Sequence, residues 1–115
     1  AALLAQREAL AVDLADARTA RDNALADLAD EEQIARAARE AAAQGLPADL
    51  LALYDKLRAD NGGIGAAALH RGRCEGCRIE LTPVDLGRIR EAPPAEVIRC
   101  EECRRILVRT AESGL

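Results

Sequence analysis

The sequence predicts an α plus small β protein, in which a long coiled-coil helical arm precedes a small domain held together by four cysteines. Three features of the 115 residues lead to this prediction. Alanine and leucine dominate the apolar residues, and Tyr54 is the only aromatic one. A core built from these side chains would bury too little apolar area to stabilise the whole chain as one globular domain. Residues 1–44 contain no glycine or proline. All four cysteines lie in the last 42 residues.

Residues 1–44 are predicted to form the arm as one helix. Their residue types are good helix formers, and a helix of this length would extend about 65 Å, which favours a coiled coil or a hairpin arm. Heptad and 11-residue registers fit about equally well, because Arg7, Arg21 and Glu31 interrupt the heptad seam. We expect a second helix to cover the stripe, supplied by preceding chain that this sequence lacks or by a second copy. The other seam residues are Leu3, Leu10, Leu14, Ala17, Ala24, Leu28, Ala35 and Ala42.

Residues 45–63 are predicted to be a short connecting helix and a glycine-rich turn. Gly45 ends the arm, and Pro47 opens the second helix with Asp49 in its first turn. The sequence Asn61-Gly62-Gly63 ends that helix. Its apolar face, with helical spacing, comprises Leu50, Leu53, Tyr54 and Leu57.

Residues 64–110 are predicted to form the cysteine-containing domain. Thr82 is the expected N-cap of a helix that starts with Pro83 and runs over residues 84–91. Residues 111–115 are a tail that we expect to be frayed. Three short strands are predicted at residues 64–70, 96–99 and 106–108.

The cysteines form two Cys-x-x-Cys turns, Cys74 to Cys77 (the first knuckle) and Cys100 to Cys103 (the second knuckle). Two such pairs around a small folded insert are typical of a structural zinc site with four thiolates. The two intervening residues let both sulfurs of a pair face one ion in a tight turn. We expect Gly76 to supply the left-handed conformation of the first knuckle. The sequence thus predicts one structural Zn²⁺.

Other uses of the cysteines are open at this point but less favoured. Two disulfides would need an oxidising compartment, and nothing in the sequence indicates export. A redox Cys-x-x-Cys needs a βαβ setting, which is absent here. A four-cysteine iron site has suitable ligands. His70 is interpreted as a surface strand residue, because four cysteines already complete the coordination.

The order of the motifs resembles the bacterial C4-type zinc-ribbon proteins that carry an N-terminal coiled-coil hairpin. The resemblance rests on LPADLLALYDKLR, a glycine-rich turn, CEGC, RIELTPVDLGRIR and VIRCEECRRIL, between about Leu46 and Val108. It implies that the full protein is about twice as long, that the missing half includes the pairing helix, and that all four cysteines bind zinc. In the family, one flagellated member is a chaperone-like partner of the flagellar sigma factor and also binds a flagellin messenger RNA.

The chain departs from the family pattern directly after the second knuckle. Glycine is common there in the family, whereas this chain has Arg104. If the position is left-handed, the arginine costs about 1–2 kcal/mol. The departure also raises the question of a distorted second knuckle.

These features predict a non-enzymatic adaptor or chaperone-like protein, whose arm and zinc ribbon bind partner proteins. An enzyme is disfavoured, because no nucleophile–base pair, phosphate loop or open metal position is visible and we expect no catalytic residues. No apolar run is long enough to cross a membrane, and we expect a cytoplasmic protein.

The alternative is a regulatory zinc ribbon that binds RNA or DNA. The formal charge of residues 64–115 is +1 and becomes −1 once four thiolates and Zn²⁺ are counted, and these residues include no aromatic ring to stack on a base. These observations favour the adaptor. The residues predicted to contact nucleic acid or a partner are Arg71, Arg73, Arg78, Arg104 and Arg105.

Overall fold

The first unit of the structure is a single long helix. The computed structural model describes all 115 residues and divides them into two units, Ala1–Gly45 and Leu46–Leu115. Helix α1 spans Ala2–Ala43, as the absence of glycine and proline predicts. Its end is confirmed, because Gly45 takes the left-handed φ of 81° that a residue after a helix C-cap often adopts.

The second unit begins with α2, which spans Ala48–Asp60. Pro47 is its N-cap rather than its first helical residue. The predicted end at Asn61 is confirmed, since the backbone N–H and the side-chain amide of Asn61 both donate to the carbonyl oxygen of Leu57, at 3.0 and 2.9 Å. Leu57 is the buried residue of the predicted apolar face.

Four short strands form one sheet in the order β2-β1-β4-β3. β1 and β4 are parallel, whereas the β1–β2 and β3–β4 pairs are antiparallel. The predicted strand at residues 106–108 is confirmed as β4, while the strands predicted at 64–70 and 96–99 are shorter than expected and β2 was not predicted. The strands are β1 (Ala66–His70), β2 (Arg73–Cys74), β3 (Ile98–Arg99) and β4 (Ile106–Val108).

Helix α3 lies between the two cysteine pairs and spans Pro83–Glu91. The predicted cap is confirmed: the Thr82 hydroxyl accepts a hydrogen bond from the backbone N–H of Asp85 at 3.1 Å. None of the helices combines the length and hydrophobicity that a membrane span requires.

The core of the second unit is small and includes two of the cysteines. Buried Leu69 and Leu107 lie on neighbouring parallel strands, and Ile89 comes from α3. Cys74 and Cys100 complete the same cluster. The domain therefore places its thiols where a larger protein would place aliphatic or aromatic side chains.

The prediction of a frayed tail is wrong. The backbone N–H groups of Arg71 and Gly72 donate to the carbonyl oxygens of Glu112 and Ser113, both at 2.8 Å. Ser113 is only 1% exposed, and its hydroxyl accepts from the N–H of Thr110 at 2.8 Å. The tail therefore packs against the β1–β2 turn.

Candidate metal centre

The two knuckles have matching backbone hydrogen bonds. In the first, the N–H of Arg78 donates to the carbonyl of Cys74 at 2.8 Å. In the second, the N–H of Arg104 donates to the carbonyl of Cys100 at 2.9 Å. A further bond closes each turn, from the N–H of Cys74 to the carbonyl of Ile79 and from that of Cys100 to the carbonyl of Arg105. The second knuckle therefore repeats the geometry of the first.

A left-handed residue directly follows each knuckle. Arg78 has φ 66° and Arg104 has φ 67°. The expected left-handed conformation of Gly76 is wrong, because Gly76 is absent from the residues with positive φ. Glycine is needed there for space: a Cβ would lie 2.7 Å from Cδ of Arg105 and 3.1 Å from Cβ of Ala67.

The four sulfurs have the spacing that one tetrahedral metal ion requires. Sγ of Cys74 lies 3.8 Å from Sγ of Cys103, and Sγ of Cys77 lies 3.8 Å from Sγ of Cys100. All four lie within 4.8 Å of one another. Zn–S bonds of about 2.3 Å place tetrahedral sulfurs about 3.8 Å apart, whereas a disulfide needs about 2.05 Å. The thiols are therefore unpaired, and their arrangement fits one Zn²⁺.

The protein environment opposes free thiolates at the two buried positions. Burial raises the pKa of Cys74, although the amides of Cys77 and Gly76 act in the opposite direction. Burial likewise raises the pKa of Cys100 to about 12, against the opposing amides of Cys103 and Glu102. Metal ligation requires the thiolate form, so a cation must supply the stabilisation that the buried site lacks.

Cys103 has a different environment from the buried pair. Burial would raise its pKa, but the backbone N–H and the side chain of Arg105 and the neighbouring thiols together lower it to about 7. Arg105 is two residues after Cys103 in the chain, and its side chain also lies next to the sulfur cluster. The pKa of Cys103 is therefore shifted in the opposite direction from those of Cys74 and Cys100.

Three of the five predicted contact arginines form ion pairs with nearby glutamates. Arg73 pairs with Glu80 at 3.2 Å, Arg78 with Glu75 at 2.9 Å, and Arg104 with Glu101 at 3.6 Å. These pairs lie at the surface, where ion pairs contribute little to stability, and they offset the positive charge there.

The other two predicted contact arginines differ from these. Arg71 is exposed, with a left-handed φ of 48° in the β1–β2 turn. Arg105 is half-buried, and its guanidinium donates to the carbonyl oxygens of Ile64 and Asn61. His70 lies on β1 opposite Arg73 and outside the four-sulfur cluster.

Arg109 has a structural role that sequence reasoning missed. Its guanidinium donates to the carbonyl oxygens of Ala92, Pro93, Pro94 and Glu96 at 2.8 to 3.2 Å. Prolines supply no backbone N–H, so a proline-rich loop has surplus carbonyl acceptors. The Pro93-Pro94 pair was therefore the feature of the sequence that could have indicated an arginine donating hydrogen bonds to this loop.

Comparison with known proteins identifies both parts of the chain. Residues 1–62 match the CT398-like coiled coil hairpin domain, and residues 73–107 match the C4-type zinc ribbon domain. Two proteins of Mycobacterium tuberculosis, from strains CDC 1551 / Oshkosh and ATCC 25618 / H37Rv, are each 40% identical over 102 residues. The match covers 89% of this chain and 41% of each relative, both of which are described as uncharacterised.

Solved structures agree with these matches. A Mycobacterium smegmatis protein has a TM-score of 0.82 and 37% identity, over 93% of this chain and 45% of that protein. CT398 from Chlamydia trachomatis has a TM-score of 0.63 over 73% of this chain and 35% of its own, and its 23% identity supports the fold alone. The chain spans less than half the length of these relatives. It belongs to the CT398-like coiled-coil hairpin family, and its second unit contains a C4-type zinc ribbon with one structural Zn²⁺.

Proposed function

We propose that this chain is part of a non-enzymatic adaptor or chaperone-like protein. Its arm and its ribbon bind partner proteins, and the thiolates of Cys74, Cys77, Cys100 and Cys103 hold the zinc ion. Four thiolates complete a tetrahedral site and leave no position for water, so the zinc has a structural role. The two matched families are not enzyme families.

The exposed surface of α1 is the observation that carries the proposal. Eight large aliphatic side chains of this helix are between 51% and 80% exposed. Burial of such apolar side chains against another helix stabilises both helices. The heptad seam of α1 pairs with a second hairpin helix, which comes from chain outside residues 1–115 or from a second copy. The remaining exposed surface of α1 is available to a partner protein. The eight residues are Leu3, Leu4, Leu10, Val12, Leu14, Leu25, Leu28 and Ile34.

Site-specific photo-crosslinking in the full-length protein tests the proposal. A crosslinker is placed at Leu14, on the heptad seam, or at Thr19, on the opposite side of the helix. Val84, which is 80% exposed on α3, is the corresponding position on the ribbon, and the full-length protein without a crosslinker is the control. We expect at least one arm position to capture a specific second protein that the control does not. Capture of the protein's own chain alone from both arm positions would contradict the proposal.

The nucleic-acid alternative has weaker support from the same surface. The glutamate partners of Arg73, Arg78 and Arg104 reduce the positive potential that attracts a phosphate backbone. An affinity for RNA or DNA that falls steeply with salt, with a slope reduced by Arg104→Ala, would favour the alternative instead.

A further inference from the structure

Arg105 contacts three separate segments of the second unit. Its own carbonyl accepts the hydrogen bond from Cys100 that closes the turn around the second knuckle, at 2.8 Å. Its side chain crosses the first knuckle so closely that a Cβ on Gly76 would lie 2.7 Å from its Cδ. Its Nε then donates to the carbonyl of Ile64 at 2.7 Å, and a terminal nitrogen donates to that of Asn61 at 3.1 Å. Through its carbonyl and its side chain, Arg105 thus joins both knuckles to the connection that follows α2.

That connection has few other attachments. Gly62 and Gly63 are exposed, and a Cβ at either position would have no atom within 4 Å. Its local hydrogen bonds run from Gly63 to Arg58 at 2.8 Å and from Ile64 to Asn61 at 3.4 Å. Two kinds of polar contact therefore tie this connection to the ribbon: the hydrogen bond from the N–H of Ile106 to the carbonyl of Gly65, at 3.0 Å, and the two bonds from the Arg105 side chain to Ile64 and Asn61.

The position of Arg105 depends on how close the two knuckles are. Both knuckles bind the same ion when zinc is present, and without the ion no bond joins their sulfurs. The ion thus holds Gly76 of the first knuckle against the side chain that follows the second. If the knuckles separate, the guanidinium loses the position from which it reaches the carbonyls of Asn61 and Ile64.

We infer that Arg105 is a positioning residue that makes the connection after α2 depend on zinc binding in the ribbon. Zinc binding in the ribbon therefore stabilises the C-terminal end of α2, which precedes the ribbon in the chain. Coupling of this kind is reciprocal, so Arg105 also raises the affinity of the ribbon for zinc. This inference is independent of any partner protein, and its failure would leave the adaptor proposal unaffected.

Hydrogen exchange in the zinc-loaded chain tests the inference, with Arg105→Ala compared against Arg104→Ala. The control removes an adjacent arginine whose side chain pairs with exposed Glu101. We expect the amides of Asn61, Gly63 and Ile64 to exchange about tenfold faster in Arg105→Ala, as the loss of two hydrogen bonds implies. Protection of β1 should be the same in both variants, and a competing chelator should remove zinc at a lower concentration from Arg105→Ala.

A second variant covers the case in which Arg105→Ala does not bind zinc. Arg105→Lys keeps the charge and an aliphatic stem across Gly76, but it lacks the planar group that reaches two carbonyls. It should show the same faster exchange with zinc bound. Equal exchange in the Arg105 and Arg104 variants would overturn the inference. So would unchanged protection of these three amides when zinc is removed from the unsubstituted chain.

Discussion

Arg78 and Arg104 occupy matching left-handed positions, one after each knuckle, and such positions restrict residue choice. A left-handed conformation costs a non-glycine residue about 1–2 kcal/mol, and both arginines adopt it. The apparent binding energy of structural zinc, about 10–16 kcal/mol, is far larger. The family pattern drew attention to Arg104 because glycine is common there. Arg78 has the same conformation, and the pattern alone did not reveal it.

Gly76 and Gly87 provide a matched test at the scale of single residues. Gly76→Ala should destabilise the zinc-loaded chain by about 1–3 kcal/mol, since the new Cβ would displace Arg105. Gly87→Ala should be neutral or stabilising, because a Cβ meets no atom within 4 Å there and alanine favours the helix. Urea unfolding with zinc in excess measures both changes. Equal stability of the two variants would refute the close-packing role of Gly76.

Among the elements, the helices were predictable, whereas two strands are shorter than predicted and β2 was not predicted. Composition and caps defined α1 and α3, because the determinants of a helix lie within its own sequence. β2 has two residues and no periodicity of its own. It pairs with β1 across the two-residue Arg71-Gly72 turn. A strand of two residues is too short for a pattern along the chain to reveal it.

The C-terminal segment gives a prediction at the element scale. Ser113→Ala should lower the free energy of unfolding by about 1 kcal/mol, since it removes the buried acceptor of the Thr110 N–H. Glu112→Ala should have almost no effect, because the Glu112 side chain is exposed and its carbonyl, which contacts Arg71, is retained. Denaturant unfolding of both variants with zinc bound measures the difference. An unchanged stability of the Ser113→Ala chain would mean that the tail contributes little.

At the scale of the whole molecule, a metal ion replaces most of a hydrophobic core. The sequence predicted the zinc site well, because its determinants are four cysteines at diagnostic spacings. The five arginines were harder to interpret, since the role of each depends on what the fold places beside it. Arg105 contacts backbone carbonyls and Arg104 contacts a glutamate, although they are adjacent in the chain. The predicted division at residues 44, 63 and 110 remains a prediction.

Hydrogen exchange before and after metal removal tests the central claim most directly. Chelation under reducing conditions should abolish protection of the β1 and β4 amides, while α1 keeps its helical circular dichroism signal. Addition of one equivalent of Zn²⁺ should restore protection, because the binding energy of structural zinc is folding energy. Protected β1 and β4 amides in the metal-free chain would contradict the claim that zinc holds this domain together.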